Sequence, residues 1–466
     1  MEKAIFWDTK QLWEKNLNKG HKMKLTAREL AMQALLKVKE NEGYSNIVID
    51  KALREFQLDK RDSSLVSAIF YGVLEKRITL DYYLKAVLKS PNKKLDTIVE
   101  IILQIAVYQI FFMDRIPESA IVNEAVNCAK SNNRMALAGF INGVLRKLIR
   151  EKNTISLPLS NNIFSLSIKY SVPQELIELW QKSYGQDLTI KILEAFTEKP
   201  KLYIRVNNTK TTANDLSKLF ADSKINLLPS DYIENSAELI NCGSPKDTEE
   251  FNQGLFHVQD LSAQLICHFL SPKAGELICD TCAAPGGKSF TIAEMMNNSG
   301  KVSAFDLYKG RVKLIRNGAE RLGLTNIHSL VNDATEAFGE SEKFDKVLCD
   351  VPCSGYGVIR RKPEIRYKAL STVKELPDIQ YKILENSSRI VKVGGLLVYS
   401  TCTLNPDENQ TVVDRFLKLN PNFIPYTLKL PNGVVRAFDE PEHMFTMFPF
   451  TAQSDGFFVS AFIRKS

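Results

Sequence analysis

Apolar residues recur at the three- and four-residue spacing of helices through the first third of the chain. From Thr26 to about Arg150 this spacing is interrupted near Pro91 and Pro117, which we interpret as turns between helices. The pattern therefore predicts an all-helical N-terminal module. The positions that set it are Leu30, Ala34, Leu35 and Val38, followed by apolar positions within 69–74, 98–112, 121–129 and 140–149.

The middle of the chain, from about 160 to 270, has a different pattern. A helix is expected to start at 171–175, and short runs of β-branched and aromatic residues at 202–206 and 254–260 predict strands. A further helix is predicted over 261–270. These elements indicate a small α+β subdomain.

Strand and helix patterns alternate in the last two hundred residues. Such alternation predicts a mostly parallel, doubly wound Rossmann-like α/β sheet, whose ligands bind at the carboxyl ends of the strands. The composition of residues 456–463 predicts an antiparallel strand that closes the sheet. The strands are predicted at 276–280, 301–305, 327–331, 344–349 and 395–401, and the helices at 287–297, 309–322 and 371–391. The domains are expected at 23–152, 160–270 and 271–466, after a disordered extension at 1–22.

The stretch 277–297, LICDTCAAPGGKSFTIAEMMN, reads as a buried strand, a tight turn and a helix. Gly286 and Gly287 let a ligand approach the main chain, and the first N–H groups of the helix favour an anion or a carboxylate. A dinucleotide site would require G-x-G-x-x-G, which is absent. A P-loop would require a glycine where Cys282 stands, although Asp350 could imitate the magnesium-side aspartate of NTPases.

Three motifs decide between these alternatives. CAAPGGK at 282–288, D-x-PCSG at 350–355 and STC-x-x-x-P-x-EN at 400–409 together resemble the RNA cytosine-C5 methyltransferases that use S-adenosylmethionine. The whole chain is similar to bacterial 16S rRNA enzymes of the Sun/Fmu (RsmB) type, which implies a NusB-like RNA-binding domain in front. The chain departs from this family at Val351 and Thr403, and at Lys362, Arg366 and Tyr367, where His, Lys and Trp are commoner.

The resemblance implies a binding site for S-adenosylmethionine. Asp306, which lies 20 residues past Gly286, is expected to accept from the ribose hydroxyls, and Asp333 to lie near the adenine. As an alternative, strand-end aspartates cap the next helix, and Arg311 is equally compatible with a solvated surface. The full predicted set is Cys282, Ala283, Ala284, Pro285, Gly286, Gly287, Lys288, Asp306, Arg311, Asp333 and Asp350.

The chemistry of C5 methylation explains two cysteines. C5 of cytosine is a poor nucleophile, so a thiolate must first add at C6. The resemblance assigns Cys402 as this nucleophile and Cys353 as the residue that assists C5 deprotonation and product release. Asp350 is expected to hold the N3 edge of the base. The sequence alone shows no base or lowered pKa that would activate the thiol.

A zinc site is an alternative, because Cys279 and Cys282, and Cys349 and Cys353, have nearly zinc-like local spacing. Strand alternation directs Cys279 and Cys349 toward packing against helices, where cysteine is a common core residue. We therefore expect no metal.

Basic residues are concentrated near the N-terminus. Residues 24–152 hold 21 Lys and Arg against 15 Asp and Glu, which places a net charge of +6 there out of +7 for the chain. This excess favours contact with RNA phosphates, although a solvated helical surface remains the alternative. The predicted RNA-binding residues are Arg146, Lys147 and Arg150 in the helical module, and Arg360, Arg361, Lys362 and Arg366 beyond Cys353.

Other features limit the class of protein. No run of eighteen uninterrupted apolar residues occurs, and the first twenty residues lack the apolar core of a secretory signal. We expect a cytoplasmic monomer with reduced cysteines. Its predicted activity is methylation of C5 of a cytidine in 16S rRNA, of the type that acts on cytidine 967. The alternatives are a tRNA cytosine-C5 methyltransferase and a non-catalytic RNA-binding factor of ribosome assembly.

Overall fold

The computed structural model describes residues 25–41, 43–338 and 343–466. The disordered extension predicted at 1–22 lies outside the described residues. The chain divides into two compact units. The first contains the residues up to Ile177 together with Lys362–Tyr367, and the second contains Glu178–Arg361 and Lys368–Ser466.

The first unit is helical, as the apolar spacing predicts. The predicted core positions Leu30, Ala34, Leu35 and Val38 are all buried. Pro117 lies immediately before a helix, as its fixed backbone angle favours. The helices are α1 (Ala27–Asn41), α2 (Ser45–Phe56), α3 (Lys60–Val87), α4 (Thr97–Phe112), α5 (Glu118–Ser131), α6 (Ala138–Glu151) and α7 (Ile163–Tyr170).

Helix α4 is the most apolar element of this unit, and its polar residues have partners inside the protein. The carboxylate of Asp96 accepts from the first free N–H groups of the helix and so fixes its start. Gln104 donates to Asp81 at 2.7 Å, and Gln109 accepts from Arg28 at 2.7 Å. Across the described part of the chain, no helix is both long and apolar enough to cross a membrane.

Helix α8 (Gln174–Ala195), which bends at Gly185, lies mostly in the second unit. The elements that follow are β1 (Tyr203–Val206), α9 (Ala213–Leu219), β2 (Asn226–Pro229), β3 (Ser236–Ile240), α10 (Glu249–Asn252) and β4 (Phe256–Val258). The four strands form an antiparallel sheet of order β2-β3-β1-β4. The two strands predicted here are confirmed as β1 and β4, whereas β2 and β3 were missed. Strand β2 lies at the sheet edge and is largely exposed, so its sequence lacks a buried face.

The strands of the main sheet are β5 (Leu277–Asp280), β6 (Lys301–Asp306), β7 (Ile327–Val331), β8 (Phe344–Asp350), β9 (Val391–Thr401), β10 (Phe423–Pro425), β11 (Met444–Met447) and β12 (Phe457–Arg464). Their order is β10-β12-β9-β8-β5-β6-β7, and β11 pairs with β12. Strands β5 to β9 are parallel, and β12 is antiparallel to β9, as predicted. The helices are α11 (Leu261–Leu270), α12 (Gly287–Met295), α13 (Lys309–Leu322), α14 (Leu376–Arg389) and α15 (Gln410–Leu419).

Two predicted boundaries in this sheet were wrong. Helix α14 begins five residues later than 371, because Leu370–Val373 forms a separate 3₁₀ turn and Pro377 occupies the first turn of the helix. Strand β9 begins at Val391 rather than 395. Gly394 and Gly395 indicate a turn, but the strand passes through them, with an irregularity in its pairing to β8.

Candidate active site

The two cysteines predicted to be catalytic lie side by side. Strands β8 and β9 are parallel neighbours, and Asp350 at the end of β8 pairs in register with Ser400. The loops that follow these strands therefore leave the same edge of the sheet. The Sγ atoms of Cys353 and Cys402 are 3.1 Å apart, and the N–H of Cys402 donates to the Cys353 sulfur at 3.3 Å.

Two opposing effects act on the Cys353 sulfur. The hydrogen bond to Cys402 and burial raise the pKa of the Cys353 thiol well above its usual range. The hydrogen bond from the Cys402 N–H favours the thiolate and opposes part of this shift.

Asp350 is held by two side chains. Its Oδ2 lies 2.7 Å from Nζ of Lys288, and its Oδ1 accepts from Ser400 Oγ at 2.7 Å. Burial alone would lower the pKa of Lys288, but the Asp350 carboxylate raises it above its ordinary value. Lys288 thus stays charged at neutral pH and ties the glycine turn to the end of β8. The sequence did not predict this pairing of two residues from different motifs.

The turn at 282–288 depends on glycine for its conformation and its packing. Gly286 has φ +113°, and a Cβ at this position would come within 2.3 Å of the Phe290 ring. Gly287 begins α12, so the free N–H groups of the helix start here. Only glycine fits at 286, and the turn provides donors for a carboxylate.

Two of the predicted cofactor residues adjoin this turn. Asp306, at the end of β6, is buried and accepts from the N–H of Ala284 at 3.3 Å. Arg311 donates to the Ala284 carbonyl at 2.9 Å and lies 3.5 Å from Asp306. Asp333 accepts from the N–H and the hydroxyl of Thr335. This local pairing resembles the capping role that was the alternative to cofactor binding for strand-end aspartates. The structure therefore brings Asp306 and Arg311 to the turn and gives Asp333 a local partner.

The remaining strand cysteines belong to the core. Cys279 and Cys349 are fully buried, and burial raises the pKa of both thiols. Cys349 lies 3.6 Å from the Ser387 hydroxyl. Within the described residues, no group of three or more His, Cys, Asp or Glu side chains is arranged to hold a metal ion.

Three of the arginines predicted to bind RNA contact protein atoms instead. Arg360 is buried beside Asp455 and donates to the Ser454 carbonyl. Arg361 lies 2.6 Å from Asp260 and 2.5 Å from Asp455. Both guanidinium groups bind these partners, so neither has two parallel N–H groups left for a phosphate.

Arg366 is the third of these arginines, and only 3% of it is exposed. Within the first unit it donates to the Glu75 carbonyl at 2.9 Å, and the Tyr170 and Ser171 carbonyls lie at 3.5 Å. Contact of Arg360, Arg361 and Arg366 with RNA therefore stays a prediction, and the partners of these three arginines inside the protein do not favour it. Lys362 is half-buried, with its Nζ 4.6 Å from the Tyr44 ring centroid.

The basic residues of α6 have the opposite environment. Arg146 and Arg150 are exposed, and Arg146 contacts only its neighbour Asn142 among the hydrogen bonds of the described residues. Lys147 is half-buried and donates to the Val87 carbonyl at 3.1 Å. The two arginines remain available to a phosphate.

Sequence reasoning missed Glu408, whose side chain is fully buried between the two cysteine loops. Its carboxylate accepts from the Ser354 N–H at 2.8 Å and from Gln380 at 2.9 Å. The sequence does mark this residue, because Glu408 is the glutamate of the P-x-EN motif. The motif does not reveal that this glutamate points back toward the other cysteine.

Residues from the small sheet support helix α12. Arg205 of β1 pairs with Glu294 at 3.0 Å, and both are buried. His257 of β4 lies 3.3 Å from the same carboxylate. These contacts fix the helix that begins at the glycine turn.

Comparison with known proteins follows the same division of the chain. The profile of the family described as 16S rRNA methyltransferase RsmB/F matches residues 267–463, that of the NusB family matches 25–150, and that of the Methyltr_RsmF/B-like ferredoxin-like domain matches 172–242. The middle subdomain is thus ferredoxin-like.

Whole-length relatives cover nearly the entire chain. The probable ribosomal RNA small subunit methyltransferase B of Bacillus subtilis is 36% identical over 448 residues, which span 95% of this chain and 99% of the relative. The Synechocystis protein of the same description is 32% identical over 442 residues, spanning 94% and 99%. The crystal structure of PH0851 has a TM-score of 0.81 at 25% identity and covers 95% of this chain and all of its own.

Proposed function

The chain belongs to the 16S rRNA methyltransferase RsmB/F family, and on that premise we propose that it transfers a methyl group from S-adenosylmethionine to C5 of a cytidine in 16S rRNA. The observation that carries this proposal is the 3.1 Å separation of the Cys353 and Cys402 sulfurs at neighbouring strand ends. C5 methylation requires one thiol to attack and a group to assist release.

The residues of the glycine turn fit the proposed cofactor. Gly286, where a Cβ would meet the Phe290 ring, lets the chain turn into α12, and the first N–H groups of this helix suit the carboxylate of the methionine part of the cofactor. Asp306 and Arg311 would hold its ribose side. S-adenosylmethionine supplies an electrophilic methyl group when it is bound. NSun6 from Pyrococcus horikoshii, a structure of the same fold at 20% identity, contains SFG, an analogue of this cofactor.

The cysteines and Asp350 would act on the base. Cys402 adds to C6, which moves electron density onto C5 and makes it a nucleophile toward the methyl group. Once C5 carries the methyl group, Cys353 in its thiolate form would take the proton from C5. The electrons of the C5–H bond would re-form the C5–C6 double bond, and the Cys402 sulfur would leave C6 with the electron pair of the broken bond. Asp350, fixed by Lys288 and Ser400, would hold the N3 edge during the attack.

The base must reach these thiols from a single-stranded or opened RNA segment. The exposed Arg146 and Arg150 of α6 are proposed phosphate contacts, since they are free of acidic partners in the ion pairs of the described residues. The cytoplasmic location and the monomeric state both stay predictions. Measurement of molecular size in solution would test the monomeric state.

Methyl transfer to separated RNAs tests the substrate. Incubation with labelled S-adenosylmethionine is expected to label 16S rRNA and leave tRNA unlabelled. Label in tRNA would instead support a tRNA methyltransferase, and no label in any RNA would support a non-catalytic assembly factor. Mapping the labelled nucleotide would test whether it is cytidine 967.

Two cysteine variants test the assignment of roles. Cys353→Ala is expected to accumulate a covalent RNA adduct, because attack proceeds and release is impaired. Cys402→Ala is expected to form none. Denaturing gel electrophoresis with labelled RNA reports the adduct, and Cys242→Ala, a change outside the site, is the matched control. Adduct formation by Cys402→Ala alone would exchange the two roles.

A further inference from the structure

Glu408 is a buried carboxylate surrounded by N–H donors. Its Oε2 accepts from the Ser354 N–H at 2.8 Å and from Gln380 Nε2 at 2.9 Å, and its Oε1 accepts from Asn405 Nδ2 at 3.0 Å. No ion pair of the described residues includes Glu408. A buried carboxylate held only by neutral donors is costly, so each of these hydrogen bonds matters to its surroundings.

These donors bracket Cys353 on both sides. Ser354 follows the cysteine directly, and its main-chain N–H is bound to Glu408. Gln380, the second donor, also donates to the carbonyl of Pro352, the residue before the cysteine, at 2.9 Å. The main chain on either side of Cys353 is therefore fixed through the Glu408 carboxylate or its partner Gln380.

Glu408 is also part of the loop that carries Cys402. Its own carbonyl accepts from the hydroxyl of Tyr399, near the end of β9, at 2.6 Å. A second hydrogen bond joins the loops, between the hydroxyls of Ser354 and Thr403 at 2.6 Å. One buried side chain thus belongs to the Cys402 loop and holds the Cys353 loop.

We infer that Glu408 is a positioning residue that sets the distance between the two catalytic sulfurs. No hydrogen bond of the described residues joins Glu408 to either sulfur, and it holds the Cys353 loop through the main chain of Ser354 and through Gln380. Its charge is a smaller contribution to the raised pKa of Cys353. The roles of the thiols rest on the proposed function. The hydrogen bonds from Ser354 and Gln380 to Glu408, which we call the clamp, do not. Because Cys353 is the held residue, loosening the clamp should impair release of the product more than attack by Cys402.

The separation of the sulfurs can be measured without RNA or cofactor. The azo oxidant diamide takes two electrons and two protons from two nearby thiols, which then form a disulfide, and becomes the hydrazine. The rate of this reaction depends on how well the thiols are held together. Mass spectrometry of the joined peptides identifies the Cys353–Cys402 bond.

Glu408→Gln is the test variant, because it keeps the size of the side chain and turns one acceptor oxygen into an NH₂ group. That NH₂ must face a donor, either Asn405 or the pair formed by Ser354 and Gln380. We expect disulfide formation to slow about tenfold. The matched control is Asp407→Asn, the same chemical change at the exposed neighbouring residue, which should keep the parent rate.

A second measurement follows release. With RNA and S-adenosylmethionine, Glu408→Gln is expected to lower kcat with little change in KM and to accumulate covalent adduct, as Cys353→Ala does. A merely structural role would lower active protein without building up adduct. If Glu408→Gln does not fold, Gln380→Met removes the donor to both Pro352 and Glu408 and should show the same effects more weakly.

The outcomes are separable. An unchanged rate of disulfide formation in Glu408→Gln overturns the clamp, whatever the activity. A slowed rate with adduct accumulation supports it in full. If the parent protein methylates no RNA, the proposed function fails while the diamide rates still decide whether Glu408 positions the thiols.

Discussion

The arginines of α6 and those beyond Cys353 belong to similarly basic stretches of the sequence, but they differ in exposure to solvent. Arg146 and Arg150 lie on the exposed face of a helix, whereas Arg360 and Arg366 are 7% and 3% exposed. The buried pair binds carboxylates and carbonyl groups from distant parts of the sequence. A run of positive charge in a sequence therefore indicates a nucleic-acid surface only where the folded structure leaves those cations exposed.

The largest effect that would test this contrast is expected from Arg366→Ala. The change leaves the carbonyls of Glu75, Tyr170 and Ser171 without their donor and opens a cavity, which should cost about 3 kcal/mol of unfolding free energy. Thermal unfolding followed by circular dichroism measures it.

Arg366→Lys is the control for the same position. It keeps the charge and loses the planar fork, so its loss should be intermediate. If the Arg366→Ala protein unfolds at the same temperature as the parent and binds RNA more weakly, Arg366 contacts RNA. The contrast with the exposed arginines of α6 would then be wrong.

A buried acid extends the comparison to pH. Burial raises the pKa of Asp280 to about 7 from its ordinary 3.8, and Ser289 donates to it at 2.7 Å. Between about pH 4 and 7 the folded protein holds a proton that the unfolded chain has lost, so stability falls as pH rises through this range.

The rise of about three pKa units sets an upper limit of about 4 kcal/mol for this fall in unfolding free energy, of which we expect roughly half. Urea midpoints at a series of pH values in the parent and in Asp280→Asn measure it. The asparagine resembles the protonated acid and should remove this part of the slope. Identical slopes in the two proteins would mean that Asp280 is ionised throughout.

The smallest expected effect concerns the exposed arginines. Arg146→Glu with Arg150→Glu should weaken RNA binding by about 1 kcal/mol or more and make it less dependent on salt, because phosphate contacts are lost. Stability should change by less than about 0.5 kcal/mol. Titration of labelled 16S rRNA at two salt concentrations measures the affinity.

Lys60→Glu with Arg61→Glu is the matched control, since both residues are exposed on another helix of the same unit and the change of charge is equal. Equal losses from both double variants would show that net charge alone matters. In that case α6 would have no special part in RNA binding.

The positions of the two thiols proposed to be catalytic could be predicted because they depend on local patterns. Alternating strands and helices give a parallel sheet, and residues that follow adjacent parallel strands meet at one edge. Cys353 and Cys402 lie 49 positions apart in the sequence and 3.1 Å apart in the structure for this reason. The edge strand β2 was missed because it has no buried face whose pattern could reveal it.

The sequence by itself determined the helical front, the alternating order of the main sheet, the family and the identity of the cysteines, since each rests on spacing along the chain. Only the tertiary structure decided which cations are exposed, that Lys288 pairs with Asp350, and that Glu408 joins the two cysteine loops. Long polar side chains take the partners that folding brings to them. Those partners lie tens to hundreds of residues away, where no local pattern can specify them.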